Sequence, residues 1–174
     1  MGTLEERRSG VGPNTRGGLS YVTQQQIKYI PIGDKIELNL GADPQVIFEL
    51  VKLKSWRDQI WMHVHNANVF RRVDDGNVEI DVNSSVAGWD DHERYIQRIR
   101  NYTGKAIDVE VRRAFPGHVV FRSRLAAKLH DYQTVQFSVA VEPGKRDLPF
   151  EIVRHQGRNA KQSNVTLEDA EIRP

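Results

Sequence analysis

The chain contains no cysteine, which removes disulfides, zinc–thiolate centres and cysteine nucleophiles together. That absence suits a reducing or an oxidising compartment equally, so it fixes no location. No run approaches the ~20 consecutive apolar residues that a bilayer-crossing helix needs, and no membrane span is expected. The opening MGTLEERRSGVGPNTRGG lacks the apolar stretch of a signal peptide. Glu6 stands where a myristoylation signal needs Ser or Thr. There is no Gly-x-Ser-x-Gly elbow, no glycine loop ending in Gly-Lys-Ser/Thr, and no Gly-x-Gly-x-x-Gly after a strand pattern. On these grounds no cofactor and no enzymatic activity are expected.

What is present is a chain of 174 residues, a length that favours one domain. Such a chain buries roughly two-thirds of its unfolded surface, so an ordinary apolar core suffices. The period of that core is two. Ile36, Leu38 and Leu40 alternate with polar residues, as do Val78, Ile80 and Val82, then Ile107, Val109 and Val111. Val135, Phe137, Val139 and Val141 likewise share one face. Alternation of this kind puts one side of a pleated strand inward and the other in water, the habit of antiparallel sheets.

Turn residues punctuate the pattern. Asp-Gly at 75–76 is a hairpin signal. Pro143 and Gly144 suit the two central positions of a turn. In Asn-Tyr-Thr-Gly-Lys, Asn101 is a turn residue and Gly104 fits a left-handed position. Pro-Ile-Gly-Asp-Lys at 31–35 is a fourth turn. Strands are expected near 19–30, 34–40, 45–54, 59–72, 77–83, 93–100, 106–114, 118–124, 134–141 and 147–154, with one helical turn in 125–132. The predicted fold is all-β, an immunoglobulin-like antiparallel β-sandwich over 19–155. A Gly- and Arg-rich disordered tail is expected over 1–18 and a flexible tail over 156–174, where Val165, Leu167 and Ile172 give only a weak strand pattern. Trp56, Trp61 and Trp89 are expected to fill the space between sheets or cover an edge.

The segments YIPIGDKIELNLGADPQV (29–46), RIRNYTGKAIDVEVRRAFPG (98–117) and VQFSVAVEPGKRDLPFEIV (135–153) together resemble the C-terminal β-sandwich domain of the mucoidy-inhibitor-A-like proteins, a bacterial family of unknown function. The resemblance spans 29–153 and is poorer over 55–93. It implies an immunoglobulin-like sandwich at the C-terminal end of a longer protein that is often exported or associated with the cell envelope. It carries no catalytic residues.

Three sets of residues are candidates for chemistry. His63 and His65 share a strand face in His-Val-His, where two imidazoles can hold a metal if His92, Asp90 or Asp91 supplies a third ligand. The pairs Asp74–Asp75 and Asp90–Asp91 suggest acid–base work or calcium binding, but both read as loop or turn residues and neither has the ligand spacing of an EF-hand. Charge is also unevenly placed: residues 55–93 hold three basic and eight acidic residues, and 94–128 hold nine basic and two acidic. The basic set comprises Arg94, Arg98, Arg100, Lys105, Arg112, Arg113, Arg122, Arg124 and Lys128. Arg94, Arg98 and Arg100 share strand parity and could line a polyanion-binding face. The expected role is a non-catalytic interaction or structural module of a larger bacterial protein, its partner another protein or another domain of the parent chain. The alternatives are a polyanion- or carbohydrate-binding domain using Arg94, Arg98, Arg100, Arg112, Arg122 and Arg124, and, behind it, a hydrolase.

Overall fold

The structure is a computed structural model. It describes residues 7–13, 19–26, 41–65, 69–73 and 83–172, and the side-chain surroundings of 41–65 and 83–172. Among the described residues every regular element is a strand, as a period of two requires. The chain forms two compact units, residues 1–44 and 45–174. In the first, β1 (Arg7–Pro13) pairs antiparallel with β2 (Leu19–Gln26), with a register shift between Gly10 and Val11. β1 lies within the segment expected to be a disordered tail. Gly10, Gly12 and Pro13 mask the alternation by which a strand is read, while backbone pairing needs no side chain. The expected turns at 31–35 and 75–76, the strand at 34–40, most of that at 77–83 and the pair Asp74–Asp75 lie outside the described residues.

The second unit is a two-layer β structure. β3 (Val46–Val64), β4 (Val69–Val73), β5 (Ser84–Asn101), β7 (Val119–Ser123), β10 (Gly144–Gly157) and β11 (Val165–Asp169) form one sheet, in the order β11-β7-β10-β5-β3-β4. β6 (Ile107–Ala114), β8 (Lys128–Leu129) and β9 (Thr134–Val141) form another, in the order β6-β9-β8. All neighbours are antiparallel except β7 and β11. The six-to-three division is more uneven than the roughly four-to-three division of an immunoglobulin constant domain.

Alternation builds the core. On β10, Leu148, Phe150 and Ile152 face the smaller sheet and meet Val109, Val135, Phe137 and Val141 from it. Ile99 on β5 and Val119 and Phe121 on β7 complete the layer. Phe121 and Phe150 stack at 5.2 Å between ring centroids, and Phe115 packs on Phe121 at 5.8 Å. Aromatic pairs of this kind add about 0.5–1.5 kcal/mol each beyond the area they bury. No tryptophan enters this cluster, so of the two expected places, the space between the sheets and the cover of an edge, the first is filled instead by Phe, Val, Leu and Ile; Trp56 and Trp61 lie on β3 and Trp89 on β5.

The chain changes sheets at sharp corners. Gly104 (φ +75°) lies between β5 and β6, Gly117 (φ +95°) between β6 and β7, and Gly144 (φ +117°) where β9 turns into β10 after Pro143. Asn101, 1% exposed, holds the first corner. Its Nδ2 donates to the carbonyls of Lys105 (2.7 Å) and Val141 (2.9 Å), and its Oδ1 accepts from the Thr103 backbone N–H (3.0 Å). One side chain thus ties the turn to the far end of β9.

Two other expectations differ from the structure. Residues 125–132 form no helical turn, because the Leu125 N–H bonds to Ser123 Oγ and the His130 N–H to the Thr134 carbonyl, which folds the segment back onto β9 as β8. Within 156–174, β11 pairs with β7, and Val165 is buried in the core. Its alternation was weak because only one side of a five-residue strand is covered.

Candidate polar site on the outer face of the large sheet

The face of the large sheet turned away from the core is built in cross-strand rows. In one row the register brings Glu168 (β11), Arg122 (β7), Glu151 (β10), Arg94 (β5) and Lys54 (β3) side by side. Acid and base alternate along the first four positions. Arg122 Nε donates to Glu168 Oε2 at 2.6 Å, and Arg94 donates to Glu151 Oε2 at 3.1 Å. Glu151 is only 5% exposed. Burial works against the charge on Arg122, but its bonds to Glu168 and Glu151 outweigh that and raise its pKa. Another row places Glu49, Arg98 and Asp147 together. Arg98 Nε donates to Asp147 Oδ1 at 2.9 Å. That bond, foremost, holds the Asp147 carboxyl below its usual range.

The next rows carry most of the site. Trp56 on β3 lies opposite His92 on β5 and stacks on it, ring centroids 4.8 Å apart. The guanidinium of Arg94 and the ammonium of Lys54 also sit over the Trp56 ring. Two residues further along the same face, Asp58 (β3) lies directly opposite Asp90 (β5), which lies opposite His155 (β10). Like charges so placed oppose pairing unless they are compensated. Compensation comes from three sides. His92 Nε2 approaches Asp58 Oδ1 at 2.8 Å, and His155 Nδ1 approaches Asp90 Oδ1 at 2.7 Å. Asn159 Nδ2 donates to the same Asp90 oxygen at 3.2 Å. Asp90 and His92 are buried, at 8% and 7% exposure.

The local backbone explains how distant residues converge. β3 breaks register between Asp58 and Trp61, and Gln59 takes φ +50° there. A bulge of this kind re-aims side chains, and here it adjoins Asp58. On the other flank Gly157 has φ +61°, and a Cβ there would stand 2.3 Å from the Ala87 carbonyl. Only glycine permits that approach. It lets the Arg158 N–H reach the Ala87 carbonyl at 2.8 Å and directs Asn159 back to Asp90. Beside Asp90, a cavity of about 250 Å³ is lined by Gln59, Trp61, His118, His155 and Asn159. The rings of His118 and His155 lie 4.3 Å apart. Burial, and after it the nearness of His155, lowers the pKa of His118.

The six candidate arginines are all engaged. Arg94, Arg98 and Arg122 are paired as described, Arg100 lies 3.2 Å from Glu49, Arg112 2.7 Å from Glu110, and Arg124 3.1 Å from Glu171. Arg113 instead points inward and donates to Gln97 Oε1. Lys105 and Lys128 are exposed. His63 and His65 meet edge-on at 5.1 Å, but the structure does not gather their expected third ligands around them. Among the described residues, the set of three that offers converging ligand atoms is Asp58, Asp90 and His92, all within 4.8 Å of one another. Asp58 escaped sequence reading because its partners are more than thirty residues away and its direction is set by a bulge. Asp90 and Asp91, expected in a loop, lie within β5 and point to opposite faces; Asp91 bonds Arg57 and Trp89 instead. They are not an acid pair, since strand neighbours diverge. The signal present in the sequence was the alternation of Asp90, His92 and Arg94.

Comparisons with family models, curated proteins and solved structures find no match.

Proposed function

We propose that the chain is a non-catalytic interaction module of a larger protein, and that it binds an extended segment of another protein or domain along the edge of β3. The carrying observation is the first half of that strand. β4 pairs with β3 only over Ile60–Val64. Among the described residues, Val46–Val51 therefore has β5 on one side and no strand on the other. Ile47, Phe48 and Leu50 there are 40%, 53% and 42% exposed. An open edge offers unpaired backbone groups, and apolar side chains beside it favour strand addition. The bulge between Lys52 and Lys54 and the two lysines end the receptive stretch. The resemblance to a family sandwich at the end of longer proteins supports the same reading.

The alternative, polyanion or carbohydrate binding through the arginines, draws less support. Each of the six already faces a carboxylate, which leaves little uncompensated charge to drive counterion release. A photoreactive residue at Phe48 of the parent protein is expected to cross-link to one defined segment. The same residue at Asp108, exposed on the polar edge strand β6, is expected to give no such product. Equal and diffuse labelling from both positions would overturn the binding assignment. Turnover of a panel of ester and glycoside substrates would overturn its non-catalytic part.

A further inference from the structure

We infer that Asp58, Asp90 and His92 form a binding site for one divalent transition-metal ion, zinc being the best fit, which clamps β3 to β5. The inference is independent of the β3 edge. Three features carry it. First, the register sets two carboxylates face to face across a strand pair, and the bulge at Gln59 adjoins one of them. Second, their converging atoms, with His92, fall within 4.8 Å of one another. Ligand atoms about 2.0–2.2 Å from a tetrahedral zinc stand roughly 3.3 Å apart, so small side-chain rotations close the set.

Third, His92 has a carboxylate at each ring nitrogen: Asp58 at Nε2 (2.8 Å) and the buried Glu151 at Nδ1 (3.3 Å). The ring can meet carboxylates at both nitrogens, as here, or keep Glu151 at Nδ1 and hold a cation at Nε2. The second arrangement is the carboxylate–histidine–metal relay by which outer carboxylates orient metal-bound imidazoles. Glu151 is not part of the ligand set; Arg94 and Arg122 hold it in place. Asp90 has a comparable outer shell. His155 and Asn159 both bond its Oδ1, which leaves Oδ2 for a cation. Two oxygens and one imidazole suit zinc or a neighbouring first-row ion, with water completing the shell. The site differs from the His63–His65 pair both in its residues and in its place on the sheet.

The test uses the whole chain, stripped with chelator and titrated with zinc chloride by calorimetry, with metal content measured after dialysis. One zinc per chain is expected, with affinity at least tenfold weaker in Asp58→Asn and unchanged in His63→Ala. Cobalt bound in place of zinc is expected to show visible d–d bands in the wild-type chain, a readout that needs no variant to fold. The inference is overturned if the wild-type chain retains no stoichiometric zinc. Undiminished zinc binding by folded Asp58→Asn, or its loss in folded His63→Ala, would overturn it equally.

Discussion

Phe150 and Glu151 are neighbours on β10, are almost equally buried, and obey different physics. Phe150 looks into the space between the sheets and is held by apolar area and ring packing. Glu151 looks outward and is held by His92, Arg94 and Arg122. The inner face tolerates any group of the right volume and polarity, because burial is not directional. The outer face depends on which charge lies opposite which, and so on register. A one-residue slip would exchange the two environments completely. The pairing of β10 with β5 is therefore specified twice, by the apolar partners on one side and by the alternating charges on the other.

The contrast can be tested at its extremes. Phe150→Ala is expected to cost about 3–5 kcal/mol in denaturant unfolding, from lost transfer energy and the cavity left behind. A loss under about 1 kcal/mol would mean that the two layers are not closed on each other as described. Glu151→Ala is expected to cost less, about 2–3 kcal/mol. It strips three partners of their shared acceptor, but Arg94 and Arg122, about one-third exposed, can turn to water. Because that cost is electrostatic, it should depend on salt, whereas the cost of Phe150→Ala should not.

The third and smallest effect is in pH. Asp147 and Glu93 have depressed pKa values in the fold, chiefly through their bonds to Arg98 and Lys52. Their stabilising contribution is complete above the carboxylate range of an unfolded chain and is lost as pH falls through the lower folded values. His118 is depressed by burial, so it too contributes stability above about pH 6.5 that is lost on acidification. All three signs agree. Thermal midpoints are expected to decline from neutral pH down through the carboxylate range and below it, to about pH 3, with the first part of the decline removed in His118→Gln. A midpoint that rises on acidification would contradict the assignment of these partners.

The inner face was legible in the sequence and the outer one was not, for a physical reason. Alternation at Val109, Val111, Val135, Phe137 and Val141 reports burial directly, because apolar side chains need only a dry side. The turn at Asn101 and Gly104 was legible too, since backbone geometry there is set within five residues. Asp58, Asp90, His92, Glu151 and His155 lie on three strands, and only the register brings them together. That register passes through shifts at Lys52/Lys54 and Asp58/Trp61, which leave no clear mark in residue type. Asp90 and Asp91 were expected in a loop and lie instead within β5, where adjacency in sequence is divergence. The long β3 was expected as two strands, 45–54 and 59–72, because the bulged stretch between them interrupts the apolar rhythm without interrupting the pairing.

The corner at Asn101 also bears on how the molecule assembles. Its amide reaches a carbonyl four residues away and another 40 residues away. The near contact can form on the timescale of a hairpin, about 1–10 μs, whereas the distant one must wait for β9 to arrive after a long loop has closed. When β9 does arrive it meets an amide already oriented, so the closing step loses no further rotamer freedom at that side chain. The same asparagine thus joins the quickest event at this end of the sandwich to one of its slowest.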